Sequence, residues 1–167
     1  MRALLAAMLV TLCAAPALAD GPLTADALRA MIAARGATTV VQSLDNGDDE
    51  NNPWFGVLDH IEAGEPDWIE LVPLLAPGTD AGTAESLVIT LSRGLKTNPA
   101  AILRIVVDED LHNIADLCQD NDIEVSDAEV AAFTDKAIAA VTAITDPALA
   151  EARSACLAQL VATRPAT

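Results

Sequence analysis

Signals that start and stop helices recur every 10 to 20 residues or so along this chain, and they constrain its fold more than any other feature. Pro53 stands at the first position of a helix after an Asn46-Gly47 turn, and Asn98-Pro99 caps and opens another. Ser126-Asp127-Ala128-Glu129 spells a capping box, in which the serine and the glutamate each satisfy a backbone N–H that the helix leaves open. Asp146-Pro147 starts a last helix. Between these marks helix formers dominate and alternating strand patterns are scarce. The expected fold is all-α: a compact bundle or short solenoid-like array of seven to nine short helices, closed by an antiparallel helical hairpin.

The periodicity supplies the inward faces. Thr24 opens a helix through Ala34 with Leu28, Met31 and Ile32 inward and Gly36 as its stop, and a short second helix carries Val40, Val41 and Leu44. WFGVLDHIEAGE from Trp54 and WIELVPLLAPGT from Trp68 match at tryptophan, at glycine and at most apolar positions, and predict two stacked short helices. Thr79 or Asp80 caps the next helix, where Leu87, Val88, Ile89, Leu91 and Leu95 leave little polar face and predict a central, buried element. Val130, Phe133, Ala137, Val141 and Ile144 on one helix, and Leu149, Ala152, Cys156 and Leu160 on the next, supply the two faces of the hairpin.

The amino terminus reads as a signal peptide over residues 1–19. Arg2 is its positive start, Ala3 to Ala15 its apolar run, and Ala17-Leu18-Ala19 its cleavage site. The expected mature chain is one domain of 148 residues, 20–167, with no second apolar run to hold it in a membrane. The expected location is the periplasm or the exterior. Losing Arg2 with the leader leaves 8 basic against 25 acidic residues, a net charge of −17. Such a chain repels phosphate backbones and anionic lipid, which argues against nucleic acid as a partner. Trp54, Phe55, Trp68 and Phe133 are its only aromatic residues besides histidine, too few for base stacking.

Cys13 leaves with the leader, so the mature chain keeps Cys118 and Cys156, an even pair that reads as a disulfide in an exported protein. On a helical wheel Leu111, Ile114, Ala115 and Cys118 share one apolar face, so a helix through DEDLHNIADLCQDND is expected to be stapled to the last one. Beside that face His112 has Asp108 four residues before it and Asp116 four after. This stripe is a candidate divalent-ion site, set against a solvated helix face with i,i+4 pairs. Two acidic loops, from Asp45 and from Asp120, resemble calcium loops in composition and fail them in spacing. His60 reads as a lone surface histidine. Trp54 and Trp68 read as core anchors, or as interface residues if exposed.

Pro66 to Val106 carries Trp68, Pro77-Gly78, Asp80-Ala81, Glu85-Ser86-Leu87 and Asn98-Pro99, followed by the cysteine pair. This run resembles a pattern recurring in an uncharacterised group of exported all-helical proteobacterial proteins. The resemblance implies an exported helical domain and brings no catalytic residue with it. No nucleophile elbow, phosphate loop or zinc-protease helix is present, and no cofactor motif. Enzyme activity stays open, with the weight against it. The function expected is a non-enzymatic binding or inhibitor module for another exported, basic protein. The alternative is a periplasmic protein that binds a divalent ion or a small ligand.

Overall fold

The computed structural model describes residues 22–47, 51–109 and 113–165, with the side chain of Asp108 excepted. The segment expected to be a signal peptide, Leu111 and His112 therefore lie outside the described residues. Within them the protein is all-helical, without strands. In chain order the helices are α1 Ala25–Arg35, α2 Ala37–Leu44, α3 Pro53–Glu62, α4 Pro66–Ile69, α5 Val72–Leu75, α6 Ala81–Gly94, α7 Pro99–Glu109, α8 Ile114–Leu117, α9 Asp127–Thr142 and α10 Ala150–Thr163. Three-residue 3₁₀ turns, Ala76–Gly78 and Pro147–Leu149, precede α6 and α10. No helix among the described residues is long and apolar enough to cross a membrane.

The caps sit where the sequence asks for them. Thr24 accepts the Ala27 N–H ahead of α1, Asn98 accepts the Ala101 N–H ahead of α7, and Ser126 and Glu129 form the reciprocal box ahead of α9. Asp80 and Thr83 form a second such box ahead of α6. The second tryptophan segment does not make one helix like the first. Pro73 and Pro77 divide it into α4, α5 and a 3₁₀ turn, because proline offers no N–H to carry a helix through.

One hydrophobic cluster runs through the fold, with Leu28, Ile61, Ile69, Leu75, Leu91 and Leu103 fully buried in it. α3 packs along α6, and α9 along α10 as the expected closing hairpin. The Arg164 guanidinium grips both carboxylate oxygens of Asp135 at 2.9 and 3.1 Å, tying the end of α10 to the middle of α9. Two elements meet at backbone distance. A Cβ built on Gly78 would lie 2.4 Å from the carbonyl carbon of Ala37, so the turn before α6 rests directly on the start of α2.

Cys118 and Cys156 form the disulfide, both fully buried, with Cα atoms 5.2 Å apart. The helix expected to carry Cys118 is different from the one built. Asn113 has extended backbone and caps a new turn, accepting the Ala115 N–H, so no single helix runs from Asp108 to Cys118. Cys118 closes α8 as its last cap, and the bond pins α8 and the loop after it to α10.

Candidate functional site

Asn113 also breaks the expected ion stripe. Spacing of four residues aligns side chains only within one helix. Asp108 is in α7 and Asp116 is in α8, on the far side of that break, while His112 lies outside the described residues. Among the described residues no three His, Cys, Asp or Glu side chains are grouped to hold a metal ion. In the loop from Asp45, its carboxylate accepts the Asn52 amide at 2.7 Å and Asn52 in turn caps α3. In the loop from Asp120, its carboxylate accepts the Asp122 N–H, and Asp122 is taken by the Arg93 guanidinium at 2.7 Å. Turn bonds and one cation occupy these carboxylates.

The tryptophans are core residues. Trp54 is 1% exposed, and its indole N–H donates to Ser86 Oγ at 3.0 Å, joining α3 to α6. Trp68 is 6% exposed. The condition for an interface role, exposure, is met by neither. His60 is half-exposed and stacked on the Trp68 ring, with centroids 4.3 Å apart and planes 5° from parallel. Its Nδ1 lies 2.9 Å from Glu65 Oε1. The imidazole thus roofs an indole, a role that its position between Asp59 and Glu62 gave no sign of.

Among the described residues two depressions stand out. The first, about 310 Å³, lies between α2 and the start of α6 and is lined by Thr38, Gln42, Asp45, Thr79 and Asp80 among others. The N–H and hydroxyl of Thr83 both donate to the Asp80 carboxylate and hold its pKa below the ordinary 3.8. The second is a groove of about 370 Å³ along the outer side of α6. Ala84, Val88 and Ile89 line it from α6, with Glu85 beside them, and Asp116 and Asn121 line it from α8 and the loop. Val88 and Ile89 were expected in a buried central helix. They are only half-buried, because α6 packs on α3, α7 and α8 and leaves this side uncovered.

The charged groups divide unequally. Among the described residues Arg29 faces Glu70, Arg93 bridges Glu62 and Asp122, Arg104 holds Asp146 and Arg164 holds Asp135. Arg153 donates to the Ile144 carbonyl, and Lys96 lies over the Phe133 ring. Asp26, Asp59, Asp67, Glu85, Asp116 and Asp127 stand exposed on separate elements. With 25 acidic residues against 9 basic, most carboxylates have no cation of the chain's own to meet.

Comparison of the chain with family models, with curated proteins and with solved structures finds no match.

Proposed function

We propose that this chain is an exported, non-enzymatic binding protein that acts on another exported protein of basic surface, as an inhibitor or immunity module does. The observation that carries the reading is its charge balance: most of the described cations are taken up by contacts within the fold, and surplus carboxylates stand exposed on several separate elements. A field of one sign concentrates and orients a partner of the other sign and raises the encounter rate. The disulfide and the capped helices give a stiff scaffold on which that field is held in place.

The test is capture with the oxidised chain from Asp20, crosslinked at low salt in periplasmic extract, followed by association kinetics with the purified partner. A stoichiometric basic partner is expected, with an on-rate that falls steeply as salt shortens the screening length from about 30 Å to about 3 Å. An on-rate indifferent to salt, or a partner of acidic surface, would refute the reading.

A second reading, a small-ligand-binding protein, draws on the polar cleft between α2 and α6 with its two carboxylates. Ligands that bind the native state raise its melting temperature. A screen of divalent cations, amines and polyols that moves the midpoint nowhere would remove that alternative.

A further inference from the structure

The groove on α6 has three properties that belong together. Its floor is apolar where a helix facing water would be polar: Ala84 and Val88, and Glu85 and Ile89, are i,i+4 pairs on the same outer side. α6 has its main core contacts through Leu87, Leu91 and its buried threonines; Val88 packs against the core with only part of its surface, and it and Ile89 keep the rest of their apolar surface open on the groove side. A carboxylate stands on either side of that floor, Glu85 from α6 and Asp116 from α8, both exposed.

The walls are held rigidly with respect to each other. The Ser92 hydroxyl of α6 donates to the Gln119 carbonyl, and the Arg93 guanidinium of α6 grips Asp122, so the loop is fastened to the helix at two successive positions. The Asn121 side chain donates to the Asp116 carbonyl at 2.7 Å and shapes the opposite wall. Cys118, two residues beyond Asp116, is bonded to α10 behind it. A groove fixed in this way loses little conformational freedom when something enters it, which favours binding.

We infer that this groove receives a peptide segment of the basic partner, an apolar side chain seated on Ala84, Val88 and Ile89 with a neighbouring lysine or arginine reaching Glu85 and Asp116. The inference rests on the binding-protein reading and gives it a place and a recognition rule. Charge complementarity selects the occupant. An acidic rim around an apolar floor disfavours an anionic amphiphile and disfavours a second copy of this acidic chain. A bare cation would leave the floor exposed to water. Only a segment with both characters satisfies both parts of the groove.

The test needs no partner in hand. A peptide of alternating arginine and leucine is titrated into the isotope-labelled, oxidised chain from Asp20 and followed by amide NMR, alongside an arginine–glycine and a glutamate–leucine peptide. The arginine–leucine peptide is expected to shift the amides of Ala84, Glu85, Val88, Ile89, Asp116 and Asn121, and the other two to leave them unmoved. Glu85→Lys with Val88→Ser is expected to weaken that binding by at least about tenfold. Asp26→Lys, at an exposed position of α1 that does not line the groove, is expected to change it by less than about twofold and accounts for net charge alone. Equal shifts from the arginine–glycine peptide would overturn the inference, as would shifts spread over the whole surface. Concentration-dependent shifts of the same amides without peptide would overturn it in favour of self-association. If capture yields a basic partner whose binding survives Glu85→Lys with Val88→Ser, the binding-protein reading stands and the groove assignment falls. If no basic partner exists, that reading fails whatever the peptides do.

Discussion

Three glycine-to-alanine substitutions should separate cleanly in sign and size, because the same added methyl group meets three different surroundings. At Gly78 the new Cβ would lie 2.4 Å from the Ala37 carbonyl carbon, 2.6 Å from its oxygen and 2.6 Å from the Thr38 nitrogen. All three are backbone atoms at the start of α2, so no side-chain rotation relieves the overlap and the turn before α6 must move off α2. Ordinary overpacking costs about 1–3 kcal/mol with side chains free to adjust. A backbone clash belongs at or above the upper end, about 3 kcal/mol or more. At roughly 2–4 °C per kcal/mol for a chain of this size, Gly78→Ala lowers the melting midpoint by about 6–12 °C. At Gly94 the methyl would meet Ile102 Cδ1 at 2.7 Å, a flexible tip, and the Ile61 carbonyl oxygen at 3.3 Å. Part of that strain can be shed, and a loss of about 1–3 kcal/mol is expected. At Gly56, inside α3 and exposed, nothing lies within 4 Å of the added atom. There alanine removes only the entropic penalty of a helical glycine and should stabilise by about 0.5–1 kcal/mol. Urea and thermal unfolding followed by circular dichroism, with the disulfide intact, measure all three. If Gly78→Ala unfolds within about 0.5 kcal/mol of the parent, the close packing of the turn on α2 is wrong; if Gly56→Ala is as costly as Gly78→Ala, the open surroundings of Gly56 are wrong.

The remaining predictions concern a buried hydroxyl, the disulfide and the carboxylates. Thr134 Oγ1 is buried in α9 with no hydrogen-bond partner among the described residues, so Thr134→Val, which keeps the shape and removes the polar group, should raise stability by about 1 kcal/mol in urea unfolding; a loss would mean that the hydroxyl is satisfied after all. Reduction of Cys118–Cys156, or replacement of both cysteines by alanine, opens a loop of 38 residues and should cost about 3–4 kcal/mol, read as a drop in urea midpoint under reducing conditions. Acid should unfold the chain in part through Asp80, Glu129, Asp135 and Asp146. The Thr83 N–H, the Ser126 hydroxyl, the Arg164 guanidinium, and the Ala148 N–H with Arg104 hold these carboxyls below their ordinary values of 3.8 for aspartate and 4.5 for glutamate. Their folded-state values are depressed, so the stability they contribute is complete above those ordinary values. It is lost as pH falls below about 4.5 and through the folded values. Asp146→Asn should flatten the fall of stability with pH in that window, and an unchanged slope would remove Asp146 from the set.

Much of the architecture was legible because it is written in local chemistry. A cap such as Asn98 or Ser126 satisfies N–H groups two or three residues away, so its meaning does not depend on the rest of the fold. The inward faces of α9 and α10 were legible for a related reason: each follows a single helical period over several turns. The acidic stretch from Asp108 to Asp122 misled because its apolar spacing also follows that period. Asn113 is the residue that breaks it; asparagine favours a helix start over a helix interior, a local signal that the continuous apolar period outweighed. The groove on α6 was invisible for a tertiary reason. Val88 and Ile89 look like core residues by hydropathy, and only the placement of α3, α7 and α8 around α6 determines which side stays open. The stack of His60 on Trp68 depends on the turn at Gly64 that folds α4 back toward α3, a geometry that no residue spacing encodes.

The charge balance is the feature that folding explains least. A compact chain with so large a surplus of one sign is destabilised by its own repulsion, and nothing in the core or the caps requires most of those carboxylates. The fold uses a few of them well: Asp122 holds the loop to α6, Asp135 and Asp146 hold the hairpin, and Asp80 and Glu129 close capping boxes. Lysine or glutamine at exposed Asp59, in the last turn of α3, would suit the helix dipole better than aspartate and would relieve the repulsion. A surplus that works against stability and is kept on the solvent side is therefore better explained by what the surface meets than by how the chain folds. Under the proposed binding role, the groove between Glu85 and Asp116 is one place where that surplus borders apolar surface, so that attraction at long range would become a seated contact there.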